Sequence, residues 1–237
     1  IIDIEVACAS DLVANDDLQK WVNTNDQWIV ERTGIKQRFL CQEEENVFTL
    51  SCQAVESLLA KHSVKPDGII AATVTAPYIF PNLSNQLAAH FDIPGFSFDL
   101  SAACSGFIYA LSVAKSMLSA NENWRHILVV AADSLSKTVD WKDRNTCVLF
   151  GDAATATLVS KVETPTACLF EVMNTCFDKE LDLRLDNNAF SEQRHFIEMN
   201  GKKVFKLAVE QMSQNIEAIL ERKKMTLEDI AMIVPHQ

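Results

Sequence analysis

The sequence predicts an α/β fold, and three observations carry that expectation. Short apolar runs of strand length recur along the chain, and the segments between them repeat apolar residues at helical spacing. In addition, 48% of the 237 residues are hydrophobic, enough to fill one large or two small cores. The first residues, Ile1-Ile-Asp-Ile-Glu5, are strand-like. Residues 16–28 read as a short helix with surrounding turn, and 49–62 as an amphipathic helix with Leu50, Ala54, Leu58 and Leu59 on one side. The runs 68–74, 96–100, 127–132, 147–159 and 230–234 are strand candidates. Helices are expected at 82–91, at 105–120, and at 202–223, where Phe205, Val209, Met212, Ile216 and Ile219 or Leu220 fall at helical spacing. The strand pattern stops at Glu163-Thr-Pro-Thr166 and a polar stretch follows to about residue 198, which places a seam between residues 1–163 and 164–237. No short-period repeat or low-complexity tract interrupts this order.

Composition narrows the function classes. A formal net charge of −11 argues against nucleic acid as a partner, because phosphate neutralisation needs a basic face. No run approaches the ~18 uninterrupted apolar residues of a membrane span, and the acidic start does not resemble a basic, then apolar, signal segment. Cysteines stand at 8, 41, 52, 104, 147, 168 and 176, an odd number with no C-x-x-C pair and no Cys/His cluster of zinc spacing. Reduced thiols in a cytoplasm and no metal centre are the expectation.

Cys104, in Asp99-Leu-Ser-Ala-Ala-Cys-Ser-Gly-Phe107, stands out because an apolar strand there gives way to a long, almost wholly apolar and therefore buried helix. A thiol at a helix N-terminus has its pKa lowered from a free value of roughly 8.5, and its sulfur can then attack a thioester carbonyl near neutral pH. A buried structural cysteine, acting as a small hydrophobe, is the competing reading.

Four motifs resemble one family in order and spacing along essentially the whole chain: Asp26-Gln-Trp-Ile-Val-Glu-Arg-Thr-Gly-Ile35, the Cys104 run, Phe150-Gly-Asp152 and Val234-Pro-His-Gln237. The family is the ketoacyl-acyl-carrier-protein synthase III group of thiolase-like condensing enzymes. The first motif is highly specific, the second strong, and the last two weak by themselves.

The resemblance implies a five-layered αβαβα thiolase-like fold built from two similar halves, usually as a homodimer, with this chain holding the first half and the opening of the second. It implies decarboxylating condensation of an acyl-CoA with malonyl-acyl carrier protein in fatty-acid or related synthesis, with acyl-CoA as a substrate and no permanently bound cofactor. Cys104 matches the acyl-accepting nucleophile, and His236 the imidazole that donates a hydrogen bond to the thioester oxygen. The third family residue, an asparagine in a Gly-Asn-Thr-Ser context, and a Gly-rich oxyanion loop are absent and are expected beyond Gln237, so the chain is expected to be C-terminally incomplete. Trp28 and Arg144 match the pair that sandwiches the adenine of coenzyme A, and Arg32 a contact near the nucleotide end, where a cation suits phosphate. Gly201 and Phe205 match the pantetheine channel, Phe80 the residue capping the acyl pocket of the dimer partner, and Lys206 a carrier-protein docking position beside Lys202 and Lys203.

Taken singly, these residues have plainer readings: Trp28 as a half-buried core aromatic, Arg32 as an ion-pair partner of Glu31 or a neighbour, His236 as an ordinary strand-end histidine, and the lysines as a solvated helix face. The chain departs from the family pattern at Ala153 and Thr155, where relatives carry glycine, and at Lys202, where they carry asparagine. Added Cβ atoms at the former glycines are expected to disturb close backbone packing. These departures keep two alternatives open, an acyltransferase of the same fold acting on a different nucleophile and an inactive dimerising relative.

Overall fold

The structure, a computed structural model, describes residues 1–162, 171–176, 178–187 and 195–236. Its centre is a five-stranded mixed sheet formed by β1 (Asp3–Cys8), β4 (Gly68–Ala72), β5 (Phe96–Leu100), β6 (His126–Ser134) and β7 (Asp152–Ser160), in the order β1-β7-β6-β4-β5. β1 and β6 run antiparallel to β7, while β6, β4 and β5 are parallel. Parallel neighbours need crossover helices, and the sequence supplies them with α3 (Leu83–His90) between β4 and β5 and α4 (Gly106–Ala120) between β5 and β6. A small hairpin of β2 (Asp11–Ala14) and β3 (Gln37–Leu40) stands beside the sheet.

Period-two alternation decides the layers. On β4, Ile69 and Ala71 pack with Leu128, Val130, Ala156 and Leu158 beneath α2 (Val47–Lys61) and α3, while Ile70 and Ala72 pack with Ile127 and Val129 against Ala110, Leu111, Ala114 and Leu118 of α4. Every residue of β4 is therefore buried, as a two-sided parallel strand requires. The stretch Ala103–Ala120 is long and apolar enough to qualify as a membrane span by length and composition, but only 33% of it is buried. One stripe packs on the sheet, while Ile108 is exposed and Lys115 pairs with Glu171 at 2.7 Å, so the expectation of a buried helix is narrowed to a helix buried on one face.

A third cluster lies under the hairpin. Leu18, Ile29, Leu40, Val139, Cys147 and Val148 join α1 (Asp26–Thr33) to the single turn α5 (Arg144–Cys147).

Several boundaries differ from the sequence reading. The expected helix over 16–28 is two elements, a 3-10 turn Asn15–Lys20 and then α1, because the Asn25 side chain accepts from the Trp28 amide and restarts the chain as a new helix. The expected strand over 147–159 begins only at Asp152; α5 occupies its start, and the Asp143 side chain caps that turn through the Asn145 amide. The run 230–234 is not a strand, because no described residue offers it a ladder, and Met232 and Val234 are exposed. The last helix, α6 (Gly201–Lys223), forms close to its expected bounds but buries none of its residues. The expected seam at residues 163–166 lies outside the described residues.

Candidate active site

Cys104 sits in the connection between β5 and α4. Asp99, on β5, accepts the amides of Leu83 and Ser84 at 2.9 Å and so ties the strand end to the α3 N-terminus. The chain then makes a 3-10 turn, Ala103–Ser105, with Ala103 in the left-handed region at φ 45°. A non-glycine residue there stores about 1–3 kcal/mol of strain and persists only where its surroundings enforce it. Gly106 permits the close approach: a Cβ at this position would lie 3.2 Å from the Ala72 Cβ on β4. Cys104 itself is open to solvent.

His236 reaches this turn from the far end of the chain, and the influence of its imidazole on the Cys104 thiol, hydrogen-bonding in kind, is the first cause of a Cys104 pKa below the ordinary thiol range; burial and the nearby Asp133 oppose it. The same influence raises the His236 pKa. Both shifts favour a thiolate beside an imidazolium. The sequence reading credited the helix N-terminus, whereas the larger influence here is the histidine.

Asp133, at the end of β6, had no sequence signal. Its carboxylate accepts from the Val74 amide at 2.9 Å, Thr75 Oγ1 at 2.8 Å and Thr73 Oγ1 at 3.2 Å, and burial raises its pKa. It pins the start of the loop that carries Tyr78, Ile79 and Phe80, which are 60%, 76% and 85% exposed. Capture of Thr73 and Val74 also explains why β4 stops at Ala72 rather than Val74.

A second group forms on α1 and α5. The Arg32 guanidinium lies 4.4 Å and that of Arg144 4.6 Å from the centre of the Trp28 ring. Arg32, four residues after Trp28 on α1, also donates to the Trp28 carbonyl at 3.3 Å, and Arg144 donates to the Asn23 carbonyl at 3.1 Å. Neither has a carboxylate partner among the described residues, so the ion pair considered for Arg32 does not form. A half-buried indole with two guanidinium groups beside it suits a planar, anionic ligand.

Gly201, Phe205 and Lys206 lie in the first turns of α6, where Phe205 is 68% exposed and Lys206 is exposed. No hydrogen bond, ion pair or ring contact joins them to either group among the described residues. A cavity of about 410 Å³ is lined by Asp140, Asp143 and residues 195–199, segments that in the chain directly precede Arg144 and α6. Lys203, in the same basic cluster, is ion-paired with Glu180 and Asp182.

Phe150-Gly-Asp152 has a structural explanation. A Cβ on Gly151 would come within 3.1 Å of both the Arg38 Cβ and the Phe39 carbonyl oxygen, so glycine lets β3 pass. The buried Asp152 carboxylate accepts the Cys41 amide at 2.7 Å, the Ser136 amide at 2.9 Å and Ser136 Oγ at 2.5 Å. Ala153 and Thr155 sit in regular register on β7, Ala153 exposed and Thr155 donating to the Ala131 carbonyl at 3.3 Å. The expected disturbance from their Cβ atoms is absent.

Residues 98–175 match the family model described as 3-Oxoacyl-[acyl-carrier-protein (ACP)] synthase III. A beta-ketoacyl-[acyl-carrier-protein] synthase III of Aquifex aeolicus is 37% identical over 241 residues, spanning 100% of this chain and 75% of the relative. One from Bacillus cereus is 37% identical over 235 residues, spanning 95% and 72%. The solved synthase III of Pseudomonas aeruginosa superposes with a TM-score of 0.89 at 30% identity, covering 99% of this chain and 74% of that one. With this likeness across nearly all its length, the chain belongs to the 3-oxoacyl-[acyl-carrier-protein] synthase III family of thiolase-like fold.

Proposed function

We propose that this chain carries out the synthase III reaction, in which an acyl group from acyl-CoA is condensed with malonyl-acyl carrier protein in fatty-acid or related synthesis. The observation that carries the reading is the placement of the His236 imidazole beside the Cys104 thiol, where each favours the charged form of the other. In the first step the Cys104 sulfur bonds to the acyl carbon, the carbon–sulfur bond of acyl-CoA breaks, and the proton held by His236 passes to the departing coenzyme A sulfur. Acylation removes the charge on Cys104, and with it the cause of the raised His236 pKa. The imidazole returns to its neutral form and donates to the malonyl thioester oxygen as carbon dioxide leaves and negative charge develops there. The enolate carbon then attacks the acyl carbon and Cys104 departs as thiolate.

Trp28, Arg32 and Arg144 are read as the seat of the coenzyme A nucleotide, with Gly201 and Phe205 on the pantetheine path. Lys206 is read as a docking contact for the acidic carrier protein. The exposed Tyr78–Phe80 loop supports a homodimer in which Phe80 caps the partner's acyl pocket. Residues 1–163 are assigned to the first thiolase-like half and 164–237 to the opening of the second, acting in the cytoplasm.

Incubation with acetyl-CoA followed by peptide mass spectrometry is expected to find one acetyl adduct, on Cys104. An adduct that survives Cys104→Ser overturns the assignment. Release of carbon dioxide from a malonyl thioester, which only condensation produces, separates this reading from plain acyl transfer.

A further inference from the structure

Arg38 is buried, 5% exposed, yet faces no carboxylate among the described residues. A buried guanidinium without an anionic partner is costly; burial pulls its pKa down, and its Nε–H lacks a hydrogen-bond partner. What it does bond is informative. One nitrogen, Nη2, donates both to Asn15 Oδ1 at 2.7 Å and to the Val148 carbonyl at 3.1 Å, while Nη1 donates to the Val13 carbonyl at 3.4 Å.

Those two Nη2 partners adjoin the two elements that carry the guanidinium–indole group: Asn15 bonds to both ends of α1, and Val148 caps the end of α5. Asn15 is 1% exposed, and its amide donates to Asp26 Oδ1 at 2.8 Å, in the first turn of α1, and to the Ile35 carbonyl at 2.6 Å, just past its last turn. Asn15 thus grips α1, with Trp28 and Arg32, at both ends. Val148 directly follows α5, whose first residue is Arg144. A planar fork with two hydrogens on one nitrogen can satisfy both sides at once; a lysine ammonium has no such fixed geometry.

We propose that Arg38 is a positioning residue that sets the spacing between Trp28 on α1 and Arg144 on α5, and so tunes recognition of the nucleotide end of the acyl donor without touching it. The proposal rests on the reading of Trp28 and Arg144 as the nucleotide seat. Gly151 belongs to the same device, since its missing Cβ makes room for the Arg38 stem.

The test compares the rate of Cys104 acetylation, read by intact-protein mass spectrometry, with acetyl-CoA and with acetyl-pantetheine, which lacks the nucleotide. Variants are Arg38→Lys, Asn15→Ser as a second cut in the same chain of bonds, and Trp28→Ala as reference. Trp28→Ala is expected to slow the acetyl-CoA reaction about tenfold, the scale of one lost base–aromatic stack, and to leave acetyl-pantetheine within about twofold. The Arg38 and Asn15 variants are expected to show the same split at about fivefold, because a displaced rather than deleted contact loses part of its effect. If Trp28→Ala shows the split while Arg38→Lys and Asn15→Ser change nothing, or slow both donors equally, the positioning role is overturned and the nucleotide seat stands. If Trp28→Ala shows no split, the nucleotide seat itself fails and the Arg38 proposal falls with it.

Discussion

The two members of the thiol–imidazole pair are held in different ways. Cys104 rises from a sheet with helices on both faces, where Ile69, Ile70, Leu87, Ile127 and Leu128 have no exposed surface at all. His236 ends a segment in which no residue from Glu198 onward is buried, with Val234 82% exposed two residues before it. The position of Cys104 follows from a packed core; the segment that carries His236 has no buried residue behind it. Stability and pair geometry are therefore separable, and substitutions in the first region are expected to act on folding while those in the second act on chemistry.

The largest effect is expected in the sheet. Ile69→Ala should cost about 2–5 kcal/mol in urea unfolding, the range for truncating a fully buried aliphatic side chain; a cost under 1 kcal/mol would mean that the sheet is not the stabilising core. Asp152→Ala, which leaves the Cys41 and Ser136 donors without their acceptor, should cost about 1–3 kcal/mol by the same measurement. Trp28→Ala should weaken acyl-CoA binding by about 1–2 kcal/mol in calorimetry, with little change in the unfolding midpoint, because the indole is only half-buried. Val234→Ala should alter stability by no more than about 0.5 kcal/mol. A loss as large as that of Ile69→Ala would erase the contrast between the two regions.

The same contrast marks what the sequence made legible. β5 was read at its true bounds because alternation and flanking turn residues are local signals. The apolar stripe from Phe205 to Leu220 gives α6 its helix, but amphipathicity says which face seeks a partner and not whether one is present. The apolar run at 230–234 likewise has strand length but lacks, among the described residues, the neighbour a strand requires. The start of β7 was misjudged because Val148 and Leu149 are apolar for another reason: they close the cluster beneath the hairpin. Trp28 and Arg32 stand out through the resemblance of the 26–35 motif to the family, and Cys104 from its strand-to-helix junction. Asp133, Asn15 and Arg38 were invisible, since each acts through hydrogen bonds to residues distant in the chain, and no local pattern encodes those.

The pH dependence of Cys104 alkylation tests most directly whether His236 acts on the Cys104 sulfur. The influence of the His236 imidazole is the first cause holding the thiol below its ordinary range, and burial and Asp133 push the other way. Removing the imidazole leaves those upward influences in place, so the rate of iodoacetamide labelling at Cys104 in His236→Ala should reach its midpoint at higher pH than in the parent chain. The shift should be confined to Cys104, with labelling of exposed Cys8 and Cys176 unchanged. Coincident Cys104 profiles for the two proteins would contradict the pairing and, with it, the proposed route of the proton.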